Sequence, residues 1–331
     1  MRLRSHFLWF ALLVTLAVAA PASAQNYGTP TFSGGALGNV ASAVTGQTVF
    51  RISSSTGAVT VQSGSGGRIS SGAAQVTVTV SCGNQTACAT DRPIVTISSS
   101  GAVTGRAAAL TNFTATAGTA TFFSGPTGTN PVTITLNPIG QNASKSFTIG
   151  FDFPINATGT TGSASSGYTV GITRNGGGNP GSGSGPATAT ASVFRAITIT
   201  KTADIAFGKI VRPKTGTGTV SLTAAGVRSV TGTGSFAFAS PAPTSAAFSV
   251  SGEGGQAITV TIPTSFTMTS GANTLTVTTV STGGGVQTLS GTLGNAGTPP
   301  TAITVGGSFP ISSTTPTGTY SGTFSVTVQY N

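Results

Sequence analysis

Residues 320–330 read Tyr320-Ser321-Gly322-Thr323-Phe324-Ser325-Val326-Thr327-Val328-Gln329-Tyr330. Tyr320, Gly322, Phe324, Val326, Val328 and Tyr330 fall on one side of a period-two alternation; Ser, Thr and Gln take the other. Successive side chains of a strand point to opposite faces, so this pattern predicts a long strand with one buried face. The same alternation recurs upstream in Val76-Thr77-Val78-Thr79-Val80, in Ile197-Thr198-Ile199 and in Ile258-Thr259-Val260-Thr261-Ile262. Val and Ile hold one face and Thr the other, and all three are β-branched residues suited to a half-buried sheet. Gly-Ser, Gly-Thr and Gly-Gly clusters separate these runs, and no 3.6-residue apolar stripe follows residue 24. The expected fold is all-β, built of β-sandwiches.

Composition agrees with that fold and excludes others. The chain has 331 residues, of which 5% are charged and 37% hydrophobic, with 48 glycines. It is too poor in charge for solvated disorder and too poor in Leu, Glu and Lys for a helical protein. The only histidine is His6. It lies in a leader, residues 1–24, with Arg2 and Arg4, an apolar run from Phe7 to Ala20, and Ala22-Ser23-Ala24 before Gln25. This reads as a secretory signal peptide, too short in its apolar run to span a bilayer. No later stretch is long enough to cross a membrane, so an exported chain is expected, passing through the periplasm to the cell surface or medium. Without the leader 12 basic and 4 acidic residues remain, a net charge of +8.

The remaining acids are Asp91, Asp152, Asp204 and Glu253, scattered along the chain with no imidazole to assist them. That set predicts no enzyme, no metal site and no cofactor. The densest basic residues, Arg174, Arg195, Lys201, Lys209, Arg212 and Lys214, lack interleaved stacking aromatics, so no nucleic-acid partner is expected. Cys82 and Cys88 are the only cysteines. In an exported chain so close a pair predicts a disulfide across a tight loop.

Residues 176–186, Gly-Gly-Gly-Asn-Pro-Gly-Ser-Gly-Ser-Gly-Pro, read as a flexible linker, against the alternative of a long Gly-rich hairpin within one sheet. An internal repeat favours the linker. Phe153–Asn175 aligns without a gap on Phe309–Asn331, matching Phe153/Phe309, Pro154/Pro310, Ile155/Ile311, Gly162/Gly318, Val170/Val326 and Asn175/Asn331. The expected organisation is a first domain over 25–175, the linker over 176–186 and a second domain over 187–331. Each Phe-Pro-Ile is read as core packing at a strand start, where proline is tolerated. Gly252-Glu253-Gly254-Gly255 is read as a hairpin turn and Asp204 as a turn residue.

Two resemblances follow from these residues. Residues 197–211, ITITKTADIAFGKIV, with Gly252-Glu253-Gly254-Gly255 and Pro316-Thr317-Gly318-Thr319-Tyr320-Ser321-Gly322, resemble the bacterial domain-of-unknown-function family 4402. The terminal alternation, with aromatic Tyr330 second from the end and Gly318 fourteenth from the end, is similar to the last strand of chaperone–usher pilus subunits, spore-coat-U-type domains included. The pilin resemblance implies an immunoglobulin-like sandwich lacking its final strand, so that both expected domains are of that type. It implies a groove lined by Phe324, Val326, Val328 and Tyr330, with Tyr320 at its start and Gly318 letting the chain turn. A periplasmic chaperone would fill the groove first, and another pilus subunit would replace it at an outer-membrane usher by strand addition. Gln25–Val49, broken by Pro30 and glycines, looks like a poor donor for such exchange, which suits a terminal, tip-adhesin-like subunit. The competing expectation is a complete, non-polymerising sandwich that binds a carbohydrate or surface ligand.

Overall fold

The computed structural model describes residues 27–157, 159–176 and 181–331; the expected leader lies outside the described residues. The fold is all-β and sandwich-type. Among the described residues no strand of the first half, up to Phe194, pairs with a strand of the second, from Thr198 onward.

In the first half two sheets enclose one core. Val76–Cys82 shows how sequence sets its face: Val76, Val78, Val80 and Cys82 are buried while the intervening residues are half-buried. Its neighbour Ala143–Asn156 pairs with it through residues 143–149 and with Gln47–Ile52 through 152–156. That long strand carries Phe147, Ile149, Phe151, Phe153 and Ile155 into the core. The facing sheet runs Gly67–Arg68, Ala36–Ala41, Gly183–Phe194, Gly162–Thr173, Ile94–Gly105, Val132–Leu136, Phe122–Thr127. Cys82 and Cys88 are joined as a disulfide, both sulfurs in the core.

Of the expected linker over 176–186, residues 177–180 lie outside the described residues, and residues 183–186 belong to this sheet instead. Gly183–Phe194 is a strand, paired along its length with Gly162–Thr173 and in parallel with Ala36–Ala41. The glycines that suggested flexibility are small for packing reasons. A Cβ on Gly183 would sit 2.5 Å from the Tyr27 carbonyl oxygen, and one on Gly185 would sit 2.9 Å from that of Pro30. Composition cannot separate a loose glycine from one under close backbone approach. The Phe-Pro-Ile units are core, since Phe153 and Phe309 are buried, but they lie toward the ends of the strands Ala143–Asn156 and Thr301–Ser312, not at their starts. The Gln25–Val49 stretch supplies strands Thr31–Gly34 and Ala36–Ala41 to the chain's own sheets.

Two tyrosines tie this core to pH. Tyr168 is buried against the rings of Phe32, Phe113 and Phe151. Tyr27 is buried and donates a 2.5 Å hydrogen bond to Asp91. Burial first, and for Tyr27 the Asp91 carboxylate next, raises both phenols well above their usual value. Unfolded tyrosine loses its proton near pH 10 while the folded chain keeps it, so stability falls as pH climbs above about 10. The urea midpoint should drop steadily across that range, and more gently in Tyr168→Phe; an equal slope in both chains would contradict this origin.

The second half has a larger sheet ordered Thr198–Ala203, Ala246–Ser251, Thr301–Ser312, Thr217–Leu222, Arg228–Val230. Asn273–Thr282 also pairs with Thr301–Ser312 and carries Ser265–Ser270 beside it. A three-stranded sheet orders Gly285–Thr288, Ala257–Thr261, Thr327–Tyr330. Two cores result, one around Val220, Leu222, Val277 and Phe309, the other around Val250, Ile258, Ile303 and Val305.

Candidate strand-acceptor edge of the second half

The terminal run lies along one ribbon of its own half. Ser321 bridges Thr269, and Thr327–Tyr330 pairs antiparallel with Ala257–Thr261. Regular strand is therefore shorter than the alternation from Tyr320 predicts. Pro263 interrupts the facing ribbon between Thr261 and Ser265, where no ladder hydrogen bond can be donated. Seven residues of the terminal run, 321 to 327, lie against nine of the ribbon, 261 to 269, so the register slips by two.

The alternation still sets which side chains face inward. Tyr320 packs on the first core, and its hydroxyl donates to the Pro316 carbonyl at 2.9 Å. Phe324 touches both cores, with ring centroids 5.0 Å from Phe266 and 6.3 Å from Phe248. Val326, Val328 and Tyr330 pack on the second core, and each is half-buried. Gly318 sits at a bend where an added Cβ would collide with the Ser270 side chain. Gly322 is held tighter, since a Cβ there would run into the Thr267 backbone.

The outer edge of this run is open. Among the described residues Thr327–Tyr330 pairs only with Ala257–Thr261, and Thr198–Ala203 pairs only with Ala246–Ser251. These two one-sided strands approach within 8 Å, Cα to Cα, with no ladder between them. Ile199 stands 37% exposed on the second edge. The repeat makes a contrast visible. In the first half the matching run, Gly162–Thr173, is paired on both sides, and Gly183–Phe194 occupies the place between it and Ala36–Ala41.

One end of the open strand is pinned by a group that sequence reading passed over. The Tyr330 hydroxyl donates to the Arg195 carbonyl at 3.0 Å and accepts from the Glu253 N–H at 2.7 Å. Burial raises its pKa, which keeps the donor protonated. The Glu253 side chain is completely buried between the halves. It accepts hydrogen bonds from the Gly294 N–H at 2.6 Å, the Arg195 N–H at 3.3 Å and the Thr161 hydroxyl, and the Arg195 guanidinium lies 3.5 Å away. The Gly252–Gly255 turn exists, but its acid is the hub of a junction. Gly252 is glycine because a Cβ would press within 2.5 Å of the Tyr330 hydroxyl oxygen.

The other acids are also engaged. Asp152 is buried and takes two 2.7 Å hydrogen bonds from the Arg51 guanidinium and one from Asn112. Asp91 meets Tyr27 and Arg174, and exposed Asp204 pairs with Lys201 at 2.6 Å. Among the described residues no three His, Cys, Asp or Glu side chains gather as metal ligands, and no helix is long and apolar enough to cross a membrane.

Residues 197–330 match the domain-of-unknown-function family DUF4402. The matched residues begin just past Arg195, where the chain passes from the first half to the second, and take in the open edge and Tyr330. No curated protein matches the chain. A solved structure described as a chaperone–tip adhesin complex in CFA/I fimbriae biogenesis resembles it at 10% identity and a TM-score of 0.24, over 74% of this chain and 92% of the other. A likeness that slight carries no argument about the DUF4402 region.

Proposed function

We propose that the chain is an exported, non-enzymatic surface protein whose DUF4402 region accepts a strand from another polypeptide, as a pilus subunit or tip-adhesin-like terminal subunit. One observation carries this reading. The first half has Gly183–Phe194 between two strands, while the matching edge of the second half is unpaired among the described residues. Open backbone edges are pairing templates, and half-buried Phe324, Val326 and Val328 leave apolar surface at alternate positions. Neighbouring strands lie about 4.8 Å apart, so a strand seated between two others needs roughly 9.6 Å. Thr198–Ala203 and Thr327–Tyr330 come within 8 Å of each other, so the cleft must widen to admit one. Partners of this chemistry are a periplasmic chaperone during export, then an usher and another subunit.

The test is strand complementation of the mature chain. The probe is a peptide copying residues 183–194, GSGPATATASVF, which closes the first half. Amide exchange should slow at Ile199–Lys201 and Val326–Tyr330, and the melting midpoint should rise. A scrambled peptide should do neither, and Val326→Asp should abolish the response. Failure of this peptide, of strands from co-encoded subunits and of a periplasmic chaperone to protect those amides would leave a complete, non-polymerising sandwich as the better reading.

A further inference from the structure

A second surface of the DUF4402 region stands apart from the open edge. Ile210–Val211 and Phe236–Ala237 form a two-stranded ribbon, with Val211 opposite Phe236 and Ile210 opposite Ala237. Ile210 packs toward the first core of this half. Strand alternation then turns Val211 and Phe236 outward. Lys209 and Phe238, joined by a 2.9 Å backbone hydrogen bond, continue the same outer face. The rings of Phe236 and Phe238 lie 5.2 Å apart and are 52% and 46% exposed. Among the described residues the one other exposed phenylalanine is Phe123, and its ring is covered by the Arg92 guanidinium at 3.6 Å.

The surroundings of this pair are cationic. Lys209, Arg212, Lys214 and Arg228 lie between Asp204 and Glu253, a stretch with no Asp, Glu, Asn or Gln. Arg228 donates to the carbonyls of Phe207 at 2.6 Å and Phe238 at 2.5 Å, fixing the ribbon, and Arg212 donates to that of Thr315. The Lys214 methylenes lie over Gly234. Among the described residues no carboxylate pairs with these four cations. A sugar site needs carboxylate or amide side chains to read hydroxyls, and this stretch has none. Exposed rings beside unopposed lysines, with the positive charge left for phosphates, are what an interfacial lipid contact requires.

We propose that the Lys209–Val211/Phe236–Phe238 face docks on a bilayer surface rich in anionic lipid. The two rings enter the headgroup–acyl boundary, and Lys209 and Lys214 meet headgroup phosphates. The experiment is co-sedimentation of the mature chain with vesicles of phosphatidylglycerol and phosphatidylcholine in equal parts, or of phosphatidylcholine alone. Wild type should bind the mixed vesicles at least tenfold more tightly, and binding should weaken with salt. Phe236→Ser with Phe238→Ser, and separately Lys209→Glu with Lys214→Glu, should each lose at least tenfold; Phe123→Ser should bind as wild type. All these side chains are exposed, and an unchanged urea midpoint checks that each variant is folded. No binding by wild type, or equal binding by the Phe236/Phe238 variant, overturns the proposal. So does binding to polygalacturonate instead of vesicles, or a self-association abolished by the same serines. The strand-complementation response does not involve this face, so either result stands without the other.

Discussion

Glu253→Ala should destabilise the chain by about 3–5 kcal/mol, the usual cost of removing one partner from a buried ion pair. The Thr161 hydroxyl, the Gly294 N–H and the Arg195 N–H lose their common acceptor, the fully buried Glu253 carboxylate, and the Arg195 guanidinium loses its ion-pair partner. An unmet buried donor costs more than its hydrogen bond contributes when made. Urea unfolding measures the loss. Asp204→Ala is the control: the Lys201–Asp204 pair is exposed on both sides, and such pairs contribute little. Its midpoint should match wild type. A Glu253→Ala chain as stable as the control would mean the carboxylate is not the hub that its hydrogen bonds describe.

Phe324→Ala should cost about 2 kcal/mol, less than a fully buried phenylalanine because the ring is half-buried. The ring spans the seam between the two cores of the second half and contacts Phe248 and Phe266. Its removal unlinks the terminal run from both, so amide exchange at Val326–Tyr330 should quicken as well. A loss under about 0.5 kcal/mol, the size of an ordinary surface change, would show that the ring does not join the two cores.

The fold was legible where period-two patterning met β-branched residues. Val76–Cys82 and Ile258–Thr261 lie where their alternation put them. The terminal run kept its inward residues but lost pairing from Gly322 to Val326, because Pro263 interrupts a different segment and the alternation of one strand carries no information about its neighbour. Residues 183–186 read as linker because glycine under close packing and glycine in a loose tether look alike in composition. Glu253 was missed for a related reason. A Gly-Glu-Gly-Gly turn marks a bend, but only the tertiary fold brings Arg195, Thr161 and Gly294 to the same carboxylate. The family resemblance did reach the matched region: its opening motif starts at residue 197, and its closing motif, 316–322, lies shortly before residue 330. The Phe236/Phe238 face had no signal in sequence, because exposure of an aromatic is not encoded in its spacing alone.

The Tyr330 hydroxyl bridges the Glu253 N–H and the Arg195 carbonyl, so the last strand and the crossing between halves share one anchor. Were the proposed partner strand zipped along Thr327–Tyr330 and pulled, its whole ladder would be loaded in shear. Load would then reach the first half through the chain at Arg195 and the Glu253 hydrogen bonds as well as through this phenol, and Tyr330→Phe would slacken that junction while leaving the ladder's own grip intact.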